Sequence, residues 1–250
     1  MLASVLIAAA ASVNAFSWRF AAITVVYTLV PAAISAATWR VRSPNWSEPL
    51  IIALLWLPLE FAAGADLIPK SAQGFIHSAA YGVSILLALS IFLLHRRFDG
   101  MRYRLPSRAS DIGLPVLVFL IAAPVLVLVG RAVGFIPAFH DASVSAGHAV
   151  RIFVLIFVAT ALPEEILFRA LIQNWITRKF GASYTSIGIA AVIFGASHLN
   201  NGPGSGLNWP YAVVATLAGF AFGLVFQRSS SVLSSALLHA LVNITKRVFF

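Results

Sequence analysis

Three ionisable residues stand close together in a long apolar stretch of the chain: Glu164, Glu165 and Arg169. The surrounding residues, 149 to 172, are apolar enough to lie in a membrane, where every ionised side chain costs several kcal/mol. A function that needs these charges is therefore the first explanation to consider. The structural alternative is an ion pair between Glu165 and Arg169, which are four residues apart on one helix face. That pair would leave Glu164 unexplained.

Further polar residues are predicted at the same membrane depth. Glu165 lies 16 residues before Gly181, and His198 lies 17 residues after it. In an antiparallel helix pair joined by a turn near Gly181, equal distances from the turn mean equal depth. His239 and Asn243 are four residues apart on the last predicted helix, so they share a face. The distance of His239 from the preceding turn also matches the depth of Glu165. Interhelical hydrogen bonding would explain each polar residue singly, but it explains their common depth poorly.

This combination of side chains suits hydrolysis by water. A carboxylate beside a histidine can deprotonate water, and surroundings of low polarity make a glutamate carboxylate a stronger base. A histidine and an amide opposite can donate hydrogen bonds to the oxyanion that forms when water attacks a peptide carbonyl. The chain contains no cysteine, and direct attack by water is favoured over a covalent intermediate. Alternatively, Glu164, His198 and His239 could bind a divalent metal such as zinc that activates the water.

The elements that must position these residues are transmembrane helices. Of the 250 residues, 60% are hydrophobic and 10% are charged, whereas soluble domains carry about 25% charged residues. The apolar segments predict an all-α, polytopic transmembrane bundle with about eight to nine spans. Residues 2 to 16 form a short apolar segment, read as a first span or as a signal peptide. The net charge of +9 is spread over short loops, which indicates cytoplasmic loops in a membrane protein rather than a nucleic-acid partner.

The motifs divide the chain into two parts. Residues 1–148 are predicted to be transmembrane helices without a recognised motif, and residues 149–250 are predicted to carry the catalytic helices. In the second part, Glu164-Glu165-x-x-x-Arg169, Phe194-x-x-x-His198 and His239-x-x-x-Asn243 follow one another with characteristic gaps. In this order they resemble the CPBP family of intramembrane proteases, which includes CAAX prenyl endopeptidases and bacteriocin-processing or immunity proteins.

The resemblance implies a glutamate-dependent intramembrane endopeptidase with its site inside the helical bundle. By the family pattern, Glu164 and His198 would activate water, and His239 and Asn243 would stabilise the oxyanion. Glu165 and Arg169 would hold the site, with Phe194 in support. Members of the family are often labelled metalloproteases, so the resemblance is compatible with a metal cofactor. The expected partners are the lipid bilayer and a peptide or membrane-associated protein substrate, and the expected location is the bacterial inner (plasma) membrane.

Two other functions fit part of the sequence. A non-catalytic immunity or chaperone-like membrane protein could bind a peptide in the same cavity without cutting it. A proton-coupled transporter could use Glu164 and Glu165 as a relay, although this function does not require histidines and Asn243 at the same depth. Cleavage of a peptide distinguishes the protease from both alternatives.

Overall fold

The described part of the chain folds into helices, as predicted. A computed structural model describes residues 1–139, 144–202 and 206–250. Within these ranges nine helices occur, a number close to the predicted eight to nine spans, and no β-strand occurs. In chain order the helices are α1 (Leu2–Ser12), α2 (Trp18–Thr38), α3 (Ser47–Glu60), α4 (Lys70–His95), α5 (Ser110–Ala132), α6 (residues 146–180), α7 (Tyr184–Ala196), α8 (Trp209–Arg228) and α9 (Val232–Phe249).

The all-α architecture and the membrane character of the chain are confirmed by helix length and composition. Within the described residues, four helices are each long and apolar enough to cross a bilayer: α2, α4, α5 and α8. The helices α1 and α7 are apolar but shorter. A span of the hydrocarbon core needs about 20 residues, so these two short helices do not reach that length by themselves.

The chain divides into two compact units, Met1–Asp99 and Gly100–Phe250. In the first unit, α1 packs on α4 through buried apolar side chains that include Leu6, Ala10 and Ile76. In the same unit, the buried Glu48 lies 3.4 Å from Arg96 and so has a counter-charge. The predicted boundary between residues 148 and 149 was placed by motif, and it stays a prediction.

In the second unit, the middle of α6 is surrounded by protein. Every residue from Glu165 to Ile176 is buried, so this part of the helix has no face left for lipid or water. Helices α7, α8 and α9 all contact it. Helix α6 ends at Gly181, whose φ of +95° suits glycine. The turn predicted at Gly181 is thus present, and it directs α7 back along α6.

Helix α6 is not regular along its length, which the sequence pattern did not predict. Two π-helical segments, Phe157–Ala161 and Ile166–Gln173, flank a single α-helical turn, Leu162–Glu165. Pro163 is the second residue of this turn and lacks the N–H that would bond to the carbonyl four residues earlier. A widened π turn accommodates an extra residue and changes the direction of the side chains that follow. Glu164 and Glu165 stand between the two widened segments.

Close contact between α7 and α8 depends on small residues. A Cβ atom at Gly195 would lie 2.6 Å from the carbonyl oxygen of Ala212, and one at Gly219 would lie 2.8 Å from the Phe194 ring. Glycine at these positions lets two membrane helices approach closely enough for backbone and ring to touch. This approach fixes the position of Phe194 and of His198 one turn later.

Residues 102–111, which end in the first turn of α5, hold the turn that begins α9. Asp111 accepts hydrogen bonds from the backbone N–H of Ser230 at 2.7 Å and from its hydroxyl. Arg102 donates to the carbonyls of Phe226 and Ser229, and Arg104 donates to the carbonyl of Ser230 at 2.8 Å. The start of α9 is therefore anchored by side chains from residues 102–111, which we call the strap.

Candidate active site

The centre of the site is an ion pair inside α6. Arg169 Nε lies 3.1 Å from Oε2 of Glu165, and neither side chain has any exposed surface. The two residues are one helical turn apart, so this pairing follows from their spacing. Two opposite charges without access to water need each other, since removing either one leaves an uncompensated buried charge.

Aromatic rings complete the surroundings of Arg169. Its guanidinium carbon lies 5.0 Å from the ring centre of Phe194 and 5.9 Å from that of Phe222. Within the described residues, the two terminal nitrogens of Arg169 make no hydrogen bond. A guanidinium is weakly hydrated and is attracted to the faces of aromatic rings. The rings therefore replace part of the stabilisation that hydrogen bonds would give, and they fix the orientation of the arginine.

His239 on α9 lies between the two adjacent carboxylates of α6. Its Nδ1 is 3.1 Å from Glu165 Oε1, and its Nε2 is 3.8 Å from Glu164 Oε2. The imidazole also stacks on the Phe222 ring at 4.5 Å. A carboxylate only accepts hydrogen bonds when ionised, so His239 donates Nδ1–H to Glu165. This bond orients the ring, with Nε2 directed to the side where Glu164 lies.

His198, at the end of α7, is held by the backbone of its own helix. Its Nδ1 lies 2.8 Å from the carbonyl oxygen of Phe194. A carbonyl cannot donate, so Nδ1 carries the hydrogen and the neutral ring keeps its lone pair on Nε2. The ring packs edge-on against Tyr211 at 4.5 Å and beside Phe194 at 4.7 Å. The backbone bond thus selects the tautomer in which Nε2 is a proton acceptor.

One cavity of about 100 Å³ brings the predicted polar residues together. A water molecule occupies roughly 30 Å³ of liquid, so a few waters fit this volume. Helices α5 to α9 and the segment after α5 all contribute to its wall. The polar lining consists of Thr160, Glu164, His198, Tyr211, His239, Asn243, Thr245 and Lys246, and the apolar lining includes Phe194 and Phe222.

Each predicted site residue therefore has a defined place. Glu164, His198, His239 and Asn243 line the cavity. Glu165 and Arg169 lie behind this lining and are fully buried. Glu165 contacts the lining residue His239, and Arg169 contacts the lining rings of Phe194 and Phe222. Phe194 both lines the cavity and contacts Arg169. The sequence predicted Glu164 beside His198; in the structure the two residues line the same cavity, and it is His239 that approaches the Glu164 carboxylate, at 3.8 Å.

The side chains do not fit a metal site. In the described part of the chain, no three histidine, aspartate or glutamate side chains converge as a ligand set. The three candidate ligands, Glu164, His198 and His239, line one cavity but do not form such a set. Three protein ligands are usual at a catalytic zinc site. We therefore derive no step that passes through a metal.

Lys246, Tyr211 and Thr160 line the cavity but are absent from the sequence prediction. A signal for Lys246 was available, because it lies three residues after Asn243 and seven after His239 on one face of α9. Tyr211 and Thr160 gave no such signal. A hydroxyl in a membrane helix is common, and only the packing of the helices places these two residues in the cavity wall.

The similarity to known proteins lies in the region of the chain that carries the candidate site residues. Residues 146–245 match the family model described as type II CAAX prenyl endopeptidase Rce1-like. No significant match was found among the curated proteins or among the solved structures. The matched segment begins with α6 and includes all seven predicted site residues. The resemblance to the CPBP family, first seen in the three short motifs, is confirmed by this match.

Proposed function

We propose that this chain, whose residues 146–245 belong to the CPBP family of intramembrane proteases, is an endopeptidase that hydrolyses peptide bonds with activated water. One observation carries the proposal: Glu164, His198, His239 and Asn243 line a single cavity within the helical bundle. The substrate class is a peptide or a membrane-associated protein, and the proposed location is the bacterial inner membrane.

Glu164 and His198 are the proposed activating pair. Nε2 of His198 carries a lone pair because Nδ1–H is bonded to the Phe194 carbonyl. A water molecule in the cavity can donate one hydrogen to this nitrogen and the other to the Glu164 carboxylate. Both hydrogen bonds draw the protons away from the water oxygen, which makes the oxygen a better nucleophile.

The reaction then balances without a covalent intermediate. The water oxygen bonds to the scissile carbonyl carbon while its proton passes to the Glu164 carboxylate. The protonated Glu164 next gives this proton to the leaving nitrogen, and the C–N bond breaks. The products are a new carboxyl group and a new amine, and Glu164 is regenerated as a carboxylate.

His239 and Asn243 are the proposed oxyanion donors. They are one turn apart on α9, and both face the cavity. Asn243 supplies a side-chain N–H, and His239 supplies Nε2–H in its protonated form. Glu165 accepts Nδ1–H of His239 with one carboxylate oxygen, and the other oxygen pairs with Arg169. Donors fixed in advance at the position of the developing charge lower the barrier more than mobile water does.

The test uses purified protein in lipid vesicles and a mixed-sequence library of peptides with acetylated amino termini. Each cleavage releases one new amine, which an amine-reactive fluorophore detects, and mass spectrometry identifies the products. Glu164→Gln and His198→Ala should each lower the rate by about 10²–10⁴-fold. Glu60→Gln is the matched control, since it removes another membrane carboxylate that bonds to Trp56 and lies outside the cavity. Equal cleavage by Glu164→Gln and the wild type would refute the mechanism.

The same assay decides between cleavage and simple binding. A non-catalytic peptide-binding protein would retain library peptides on the vesicles but release no amine. Its binding would also survive Glu164→Gln. Retention without amine release in the wild type would therefore favour the immunity or chaperone-like function.

A further inference from the structure

The strap contains two arginines whose guanidinium groups meet at one turn of the backbone. Arg102 donates to the carbonyl oxygens of Phe226 and Ser229, and Arg104 donates through Nε to the carbonyl oxygen of Ser230 at 2.8 Å. The guanidinium carbon of Arg102 also lies 5.1 Å from the ring centre of Phe226. The turn between α8 and α9 therefore holds two positive charges close together.

These two positive charges are only partly balanced by negative charge. Burial, followed by the neighbouring charge of Arg104, lowers the pKa of Arg102. Among the residues that the structure describes, no carboxylate oxygen lies within 4.0 Å of either guanidinium group. The acidic residue of the strap, Asp111, already accepts hydrogen bonds from backbone N–H groups and a hydroxyl. Two like charges on a partly buried surface attract an anion that contacts both of them.

The arginine pair lies where three helices begin or end. Helix α5 begins at Ser110, α8 ends at Arg228 and α9 begins at Val232. Because α5 and α8 are each long and apolar enough to cross a bilayer, we expect their ends at the level of the lipid headgroups. Basic residues in a short loop mark the cytoplasmic side of a membrane protein, where the bilayer surface carries anionic lipids.

The strap also exposes side chains that suit a membrane surface. Tyr103 is 41% exposed and Leu105 is 78% exposed. Aromatic side chains are enriched at the boundary between water and hydrocarbon, and an exposed leucine beside basic residues gains an apolar contact with acyl chains. A free phosphate ion gains nothing from these two side chains. The position therefore suits the phosphate of a lipid better than a phosphate ion from solution.

From this arrangement we propose that Arg102 and Arg104 bind the phosphate group of an anionic membrane lipid, and that the bound lipid holds the start of α9. A guanidinium has five N–H donors, so both arginines can bond to phosphate oxygens in addition to the backbone carbonyls. The negative charge offsets the repulsion between the arginines. Because α9 carries His239 and Asn243, the lipid stabilises the helix that supplies two residues of the cavity. The inference does not depend on the proposed hydrolysis.

The binding experiment uses the purified full-length protein in detergent micelles. Phosphatidylglycerol, phosphatidylcholine and inorganic phosphate are added separately, and the bound molecules are counted by native mass spectrometry. We expect phosphatidylglycerol, which has a net negative charge, to bind at least about tenfold more tightly than phosphatidylcholine, since hydrogen bonds to a charged group contribute about this factor. Inorganic phosphate that binds as tightly as phosphatidylglycerol would overturn the assignment to a lipid.

Three variants test whether the arginine pair forms the site. Arg104→Gln keeps a hydrogen-bond donor for Ser230 but removes the charge, and it should weaken the binding of phosphatidylglycerol roughly tenfold. Arg104→Lys keeps the charge without the planar fork and should lie between this variant and the wild type.

Arg108→Gln is the matched control, because it removes the same charge from the same segment. Within the described residues, Arg108 contributes its backbone N–H to Asp111, and its side chain is exposed. This variant should bind phosphatidylglycerol as the wild type does. An equal loss of binding in Arg104→Gln and Arg108→Gln would show a general attraction by net charge and would refute a site formed by Arg102 and Arg104.

Hydrogen exchange measures the effect on α9 separately from binding. In the wild type, the amides of residues 229–232 should exchange more slowly in vesicles that contain phosphatidylglycerol than in vesicles of phosphatidylcholine alone. Arg104→Gln should exchange equally in both kinds of vesicle, and Arg108→Gln should keep the wild-type difference. Tight binding of phosphatidylglycerol without any change in exchange would refute the stabilisation of α9. Equal binding of the two lipids by the wild type would refute the site itself.

Discussion

Glu165 Oε1 lies 3.1 Å from Nδ1 of His239, and the other oxygen of the same carboxylate binds Arg169. One fully buried carboxylate therefore joins α6 to α9 and compensates a buried arginine at the same time. This double use makes Glu165 a positioning residue. It touches the cavity only through His239, so its loss should affect both stability and the geometry of the site.

Glu165→Gln is expected to destabilise the protein by about 3–5 kcal/mol, because it leaves Arg169 buried without a counter-charge. The double variant Glu165→Leu, Arg169→Met removes both charges and should recover most of that loss. Its activity should stay low, since His239 loses the group that orients it. Unfolding in detergent and peptide cleavage measure the two effects independently. A double variant that is as unstable as the single one would contradict the ion-pair argument.

Asn243→Asp tests the proposed oxyanion site with almost no change in shape. A carboxylate at this position would repel the developing negative charge and supply no hydrogen. Loss of one oxyanion donor lowers kcat by about 10²–10³-fold, and Asn243→Asp should be slower than Asn243→Ala. The decisive readout is kcat at unchanged thermal stability. Similar kcat values for Asn243→Asp and the wild type would remove Asn243 from the mechanism.

The helices and the grouping of polar residues followed from simple sequence rules. The lengths of the apolar segments predicted the helices. The equal distances of Glu165 and His198 from the turn at Gly181 predicted that the two residues lie at the same depth. Spacing by four brought Glu165 to Arg169 and His239 to Asn243. These rules concern one helix or one helix pair, where periodicity and chain length are sufficient.

Other features depend on packing between distant segments, and the sequence did not indicate them. Two π-helical segments lie on either side of Glu164, and no periodic pattern in the sequence marks them. The Nδ1 tautomer of His198 depends on a backbone carbonyl. The contact of Lys246 with Phe135 requires α9 and the segment after α5 to meet. Such contacts join residues far apart in the chain, so local spacing carries little information about them.

Gly195→Ala is expected to force α7 and α8 apart. The added carbon would lie 2.6 Å from the Ala212 carbonyl oxygen, and backbone atoms cannot move aside as a side chain can. Overpacking of this kind costs about 1–3 kcal/mol. Because His198 follows three residues later, peptide cleavage should fall together with the unfolding temperature.

Gly188→Ala on the same helix is the matched control for this change. A Cβ atom there would meet nothing within 4 Å, so stability should stay the same or rise slightly, since alanine is the better helix former. If both variants behave alike, close contact at Gly195 is not what sets the separation of the two helices.

Asp111→Asn tests whether the strap anchors α9. In the wild type, the Asp111 carboxylate accepts from the backbone N–H groups of Ser230, Ser107 and Arg108, at 2.7, 2.9 and 3.0 Å, and from the Ser230 hydroxyl. Asparagine has one acceptor oxygen and turns an NH₂ group towards some of these donors. Hydrogen bonds to a charged group contribute about 1.5–3 kcal/mol each, so we expect a loss of more than about 2 kcal/mol in the free energy of unfolding.

The same change should expose the turn between α8 and α9. Hydrogen exchange of the amides in residues 229–232 should become faster than in the wild type. Peptide cleavage should fall, because the start of the helix that carries His239 is no longer fixed. Arg108→Ala is the control, because Arg108 contributes its backbone N–H to Asp111 and its side chain is exposed. Unchanged exchange at residues 229–232 in Asp111→Asn would show that other contacts hold α9 in place.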